Sequence, residues 1–269
     1  MSANWRRVGA VVRKELTTLT SYRVDLTMRI LRIGYFAVSF YFIAEFVGDP
    51  ESISQFRGGY FEFALIGSIV TSWAAVGMTS FPEQISEEQN EGTLEAVLTT
   101  PTPIWTVLVA SHAVAFVFVL AETALLVLIG LGVFGAGIPL LGMVQATPIL
   151  FLVALSFVPF GVVSAAFIIL VKRGDPFSGP AEQLTLLLSG ALYPLSVLPG
   201  WLESVTRLIP ATYGVRATRA VVQTDAGLTD VLGDIGVLLA FVLLALPLSL
   251  VVFRWAIGTA KRAGTLGTY

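Results

Sequence analysis

The chain contains no cysteine. That excludes disulfides, thiol nucleophiles and thiolate metal sites, and leaves the redox compartment open. Histidine occurs once, at position 112, and no second histidine or paired carboxylate stands beside it at metal-ligand spacing. Charge is scarce: Asp, Glu, Lys and Arg make up 13% of 269 residues, about half the share of a soluble domain. The net charge of −2 leaves no basic footprint for nucleic acid. No Gly-Lys pair occurs anywhere, so the glycine-rich phosphate loop that ends in Gly-Lys-Ser/Thr is missing. Seven basic residues precede the first long apolar run, and the opening stretch does not read as a cleavable leader. No internal repeat, low-complexity tract or separate soluble domain is visible.

Apolar sequence is abundant. Hydrophobic residues make up 55% of the chain and mean hydropathy is +0.83, values for a chain whose solvent is mostly lipid. A spanning helix needs about 20 mostly apolar residues. Six apolar units suggest spans: 33–47 (starting nearer 28 on a looser reading), 60–81, 104–134, 144–171 with expected kinks at Pro148 and Pro159, 183–198, and 235–257. With the N-terminus in the cytoplasm, twelve Lys and Arg fall inside and four outside (Arg57, Arg207, Arg216, Arg219). That asymmetry puts both termini on the cytoplasmic side. The expected class is an all-α polytopic membrane protein with six transmembrane helices, forming one domain over 1–269.

Three segments depart from plain spans. Within residues 1–26, Trp5, Val8, Val12, Leu16 and Leu19 recur at spacings of 3, 4, 4 and 3, with Arg6, Arg7, Arg13 and Lys14 largely off that stripe. This fits an amphipathic helix lying in the headgroup plane, or an ordinary cytoplasmic helix packed on protein. Between spans five and six, within 197–234, Pro199-Gly200 and Pro210 bracket an apolar stretch only about 14 Å long at 1.5 Å per residue. It suits a short re-entrant helix from the outer side, or a loop on the surface.

The third segment, 82–103, carries Glu83, Glu87, Glu88, Glu91 and Glu95 and no Lys or Arg. A cytoplasmic loop usually carries positive charge, and carboxylates suit anionic headgroups poorly. Pro82 is read as closing the second span, Ser86 as a helix N-cap with Gln89 completing a capping box, and Gly92 as a bend. Glu87 and Glu88 then sit in a first turn that favours anions. Leu94, Val97 and Leu98 form an apolar ridge. Such an elbow suits a basic soluble partner, or is simply a solvated acidic face.

The spelling EGTLEAVLTTP at 91–101 resembles the cytoplasmic coupling segment of ABC-2 type transporter permeases. LPGWLESVTRLIPATYGVRATR at 198–219 is similar to that family's outer segment, and Lys14-Glu15-Leu16 adds to the likeness, which covers most of the chain. The resemblance implies a permease subunit paired with a second permease copy, identical or paralogous, in the cell (plasma or inner) membrane and among its lipids. Separate ATPase subunits would bind ATP and Mg. It implies that Glu91, Gly92, Thr93, Leu94 and Glu95, with Glu87 and Glu88 beside them, meet the ATPase.

Inside the spans, Glu122 is the ionisable residue that stands out. An unpaired charge at mid-bilayer costs about 2.5–3.5 kcal/mol. Its expected partner is Arg219, with Arg216 as the alternative; a neutral, hydrogen-bonded Glu122 or a substrate or proton site are the other readings. Ser68, Ser72 and Thr79 fall on one helical face with Thr71 beside it, so they line a pathway or glue helices together. Tyr35 and Tyr41 belong to an aromatic-rich first span, facing substrate or lipid. Three functions follow: an exporter of an amphipathic or lipid-like small molecule or drug, a polymer exporter with a pore lined by Tyr35, Tyr41 and Phe63, or a membrane assembly subunit that transports nothing.

Overall fold

A computed structural model describes residues 23–48, 51–54, 56–93, 104–171, 174–224 and 226–262. The expected amphipathic helix over 5–19 lies outside them, as do Leu94 and Glu95. Every regular element among the described residues is helical: α1 (Arg23–Val47), α2 (Tyr60–Asn90), α3 (Ile104–Val133), α4 (Leu140–Val171), α5 (Ser178–Leu188), α6 (Gly200–Thr206), α7 (Pro210–Gln223) and α8 (Leu232–Arg262), with short 3-10 turns at Glu51–Ile53 and Leu195–Val197.

Among the described residues, five helical stretches are long and apolar enough to cross a membrane: Thr27–Val47, Tyr60–Asn90, His112–Val133, Leu140–Val171 and Leu232–Ala260. They divide sharply by environment. The most apolar windows of α2 and α4 are 78% and 72% buried, while those of α1 and α8 are 11% buried. The centre of the molecule is therefore a two-helix seam, and α1 and α8 present Leu, Ile, Val and Phe outward as a lipid-facing helix does.

The seam is close because it is built on glycine. A Cβ placed on Gly77 of α2 would stand 2.2 Å from the Ala154 carbonyl oxygen, and one on Gly161 of α4 would stand 2.7 Å from the Gly77 and Met78 carbonyls. Small residues let membrane helices approach in this way, where dispersion rather than water expulsion drives association. Phe81 and Ile85 of α2 then meet Val162, Ala165 and Ile169 of α4 and Phe253 and Ala256 of α8. Hence α2, α4 and α8 run parallel.

The other helices run against them. Thr123 of α3 is level with Trp73, whose Nε1–H donates to its Oγ1 at 2.9 Å, and Phe134 meets Phe61. In α1, Tyr41 also meets Phe61. For α5, Ser178 reaches the Met78 carbonyl, while Ala191 beyond its far end lies against Gly67.

Two expectations about boundaries are corrected. Pro82 does not end the second helix: α2 continues eight residues past it, so Ser86 is a mid-helix residue and not an N-cap. Proline frees the carbonyl four residues back, here that of Met78, and Ser178 Oγ–H donates to that carbonyl at 3.4 Å. Neighbouring helices commonly satisfy the carbonyl a membrane proline leaves bare. α4 likewise runs unbroken through Pro148 and Pro159.

The fifth apolar unit, 183–198, is not one long helix either. α5 has 11 residues, about 16 Å, and stops before Gly190, which has φ +77°. The chain that follows is irregular but anchored. Tyr60 O–H donates to the Leu192 carbonyl at 2.9 Å, and Arg219 takes the Gly190 and Ala191 carbonyls. From there α6 occupies the proline-bracketed stretch. α7 then climbs beside the seam, with Gly214 against Val153 and Val70, and Val222 against Gly142.

Candidate functional site

α2 carries the site because one of its faces grades from apolar to acidic toward its C-terminal end. Ile69, Ser72, Val76, Thr79, Glu83, Glu87 and Glu91 recur at spacings of 3, 4, 3, 4, 4 and 4, which places them on a single stripe. All seven line one cavity of about 990 Å³. Its other walls are α1 (Arg29, Arg32, Ile33, Phe36), α3 (Val114, Phe118, Val119, Glu122, Leu126) and Glu182 of α5. The lining changes along its length, from apolar and aromatic near Ile69 and Leu126 to carboxylates near Glu91.

Glu122 faces this cavity and pairs with Arg29, Nη1 to Oε1 at 3.4 Å. The Arg29 guanidinium also lies over the Phe118 ring, 5.8 Å from its centroid. The expected Glu122–Arg219 pair does not form. Arg219 is 4% exposed and donates to three backbone carbonyls instead: Gly190 at 2.8 Å, Phe63 at 2.9 Å and Ala191 at 2.6 Å. Its guanidinium stacks on the Phe63 ring at 3.4 Å. A buried cation needs hydrogen-bond acceptors, and the break after α5 supplies carbonyls that no helix uses. Arg216, the alternative partner, donates to Asp234 from Nε, at 2.9 and 3.0 Å to the two carboxylate oxygens, and from Nη2 to Oδ1, and ties α7 to α8.

The acidic end of α2 is a capped helix terminus rather than a separate elbow. Gly92 has φ +70°, and its N–H donates to the Gln89 carbonyl while the Thr93 N–H donates to the Glu88 carbonyl. This is a Schellman stop, which glycine favours because it adopts the left-handed conformation freely. The residues expected to meet an ATPase therefore divide. Glu87 and Glu91 are exposed and face the cavity mouth. Glu88 is buried, accepts from Gln84 at 3.2 Å and holds the Thr93 hydroxyl. Gly92 and Thr93 form the stop itself. Gln89 reaches across to the Ile168 carbonyl at 3.3 Å, fixing this end of α2 to α4.

The expected pathway residues also separate. Ser72 and Thr79 line the cavity. Ser68 and Thr71 are buried and turn back on their own helix, onto the Ala64 and Ser68 carbonyls. Tyr35 is 75% exposed and does not line this cavity. Tyr41 lines a smaller pocket of about 340 Å³ at the other end of the same α1–α2–α3 seam, with Tyr60, Phe61, Phe134, Glu45 and Glu62. Phe63 lies under Arg219, so the three aromatics expected in a polymer pore do not share a channel. His112 is buried, bonded to Ser80 through Nδ1 and flanked by the Phe81 and Phe116 rings. Among the described residues no cluster of three His, Asp or Glu could hold a metal.

Arg29, Arg32, Glu83 and Glu182 were not singled out from sequence as cavity residues. For Glu83 the α2 stripe is the available signal, and a helix ending at Pro82 conceals it; Arg29, Arg32 and Glu182 lie on other helices.

A bundle of long apolar helices defines a multi-pass membrane protein. The chain belongs to the ABC-2 type transporter family, whose model matches residues 6–222. No curated protein matches it well enough to narrow that assignment.

Proposed function

We propose that this chain is the permease subunit of an ATP-binding-cassette exporter. It would form the translocation pathway with a second copy or a paralogue and be driven by separate ATPase subunits that bind ATP and Mg. Family membership supports the association with an ABC ATPase in general. The observation that carries the coupling role is the end of α2: a membrane helix prolonged past Pro82 into a glycine-stopped tip, with Glu87 and Glu91 exposed on it. That tip lies at the same end as Arg254 and Arg262 of α8, the basic and therefore cytoplasmic end.

In this reading the membrane is crossed six times. α5 and the irregular residues after it make the fifth crossing, supported by anchors at Met78 and Phe63 that are about 22 Å apart along α2. α6 and α7 form the outer re-entrant pair, both termini are cytoplasmic, and the membrane is the plasma or inner membrane. The exported compound is an amphipathic or lipid-like small molecule, which a cavity of about 990 Å³ would accommodate at the upper end of drug-sized sites. The test is the chain reconstituted with its ATPase. Glu87→Lys/Glu91→Lys should lower transport-stimulated hydrolysis at least about tenfold, a coupling loss near 1.4 kcal/mol. Unchanged stimulation would refute the coupling role.

A further inference from the structure

The cavity between α1, α2 and α3 is asymmetric in charge as well as in polarity. Five carboxylates line it against two guanidiniums. One guanidinium, that of Arg29, is already engaged by Glu122. Among the described residues no ion pair is formed by Glu83, Glu87, Glu91 or Glu182, and all four are exposed. Walls of low dielectric concentrate the field of such groups into the cleft. An anion entering it meets four exposed carboxylates against one remaining guanidinium, that of Arg32, whose charge already acts on Glu182, and a neutral amphipath gains nothing from the acidic end.

The apolar end adds a second observation. Phe118 already holds a cation over its face, the Arg29 guanidinium, and Phe36 lines the α1 wall of the same cavity. Aromatic faces attract cations through their quadrupole, most strongly where water is scarce. The smaller pocket at the other end of the seam repeats the combination, with Tyr41, Phe61 and Phe134 beside Glu45 and Glu62. Tyr41 and Phe134 lie 4.8 Å apart there, centroid to centroid.

We infer that this cavity binds an amphipathic organic cation, its charged group among Glu83, Glu87 and Glu182 and its apolar body against Ile33, Phe36 and Phe118. The assignment rests on the export reading and adds the sign of the cargo's charge. Arg29 keeps Glu122 neutralised at the apolar end, so the acidic surplus is concentrated at the end that opens beside the ATPase tip.

The test uses two probes of nearly equal shape and opposite charge, tetraphenylphosphonium and tetraphenylborate. Equilibrium dialysis would measure their binding to the full chain in phosphatidylcholine nanodiscs, with empty nanodiscs subtracted. Saturable binding of the phosphonium and none of the borate is expected. Glu83→Gln/Glu182→Gln should weaken phosphonium binding at least about tenfold, while Glu203→Gln, outside the cavity, should leave it unchanged. Borate binding as tight as phosphonium binding, no saturable binding of either probe, or an unaltered affinity in the folded double variant would overturn the inference. The two wild-type measurements decide the matter alone if the double variant does not fold. A chain that couples to its ATPase through Glu87 and Glu91 yet fails the probe comparison loses the charge assignment and keeps the export reading.

Discussion

The two halves of α2 are built for different purposes. From Tyr60 to Met78 most of the helix is buried, laid against α4 through Gly77, and tied to the α5–α7 region through Gly67 and the Phe63 carbonyl. From Thr79 to Thr93 one face opens onto a charged cleft, and the tip is held to α4 through Gln89. The first half fixes position, and the second exposes charge. Both properties belong to one continuous helix, so a displacement at the acidic tip cannot be confined to a loop.

Four tests sharpen that contrast. The largest effect belongs to the seam. Gly161→Leu would drive a side chain into the Gly77 and Met78 carbonyls and should cost about 3 kcal/mol or more, read by denaturant unfolding in mild detergent. Gly34→Leu on α1, where no atom lies within 4 Å of the added Cβ, should change stability by less than about 0.5 kcal/mol. Equal effects would show that the seam is not the centre of the fold.

Next comes the buried clamp. Arg219→Met would strip the Gly190, Ala191 and Phe63 carbonyls of their donor, at a cost of about 3 kcal/mol. Hydrogen exchange should rise at residues 189–192 before it rises in α4.

A smaller effect is expected in the cleft. Glu122→Gln or Arg29→Gln alone should cost about 2 kcal/mol, less than the full mid-bilayer penalty because both side chains are partly exposed. Exchanging both charges, with Arg29→Glu and Glu122→Arg, should restore most of it. Failure of the exchange to rescue unfolding stability would dissolve the pair.

The smallest effect lies at the turn into α5. Burial would raise the Asp175 carboxyl, but hydrogen bonds from the Ser164 and Ser178 hydroxyls and from the Phe177 and Ser178 amides outweigh it and hold it below its ordinary range. Its contribution is therefore present above the unfolded value of 3.8 and is lost as pH falls through the lower folded value. Asp175→Asn should cost about 1 kcal/mol at neutral pH, and the gap between variant and wild type should close on acidification below about pH 4.

The sequence made the long helices legible, because apolar runs of this length have one plausible use. It also exposed the acidic segment, whose lack of Lys and Arg is visible without coordinates. Three things were hidden. Pro82 reads as a stop unless Ser178, a hundred residues away, is known to reach the Met78 carbonyl. The 183–198 run reads as a helix unless Arg219 and Tyr60 are known to satisfy the carbonyls of its broken end. Arg29 reads as a flanking basic residue, although its helix carries it to the depth of Trp73 and Thr123. Each miss is a long-range polar contact made by a residue whose local sequence says something simpler.

The proline in α2 has one more consequence. A helix missing one rung of its ladder yields most readily at that rung, and here the rung is replaced by a single long bond from another helix. The residues beyond Pro82 thus form a stiff crank arm of about 12 Å, with its fulcrum where Ser178 leans on Met78. Torque delivered at Glu91 would reach the cleft as rotation about that fulcrum, tilting Glu83 and Glu87 and pulling on α4 through Gln89.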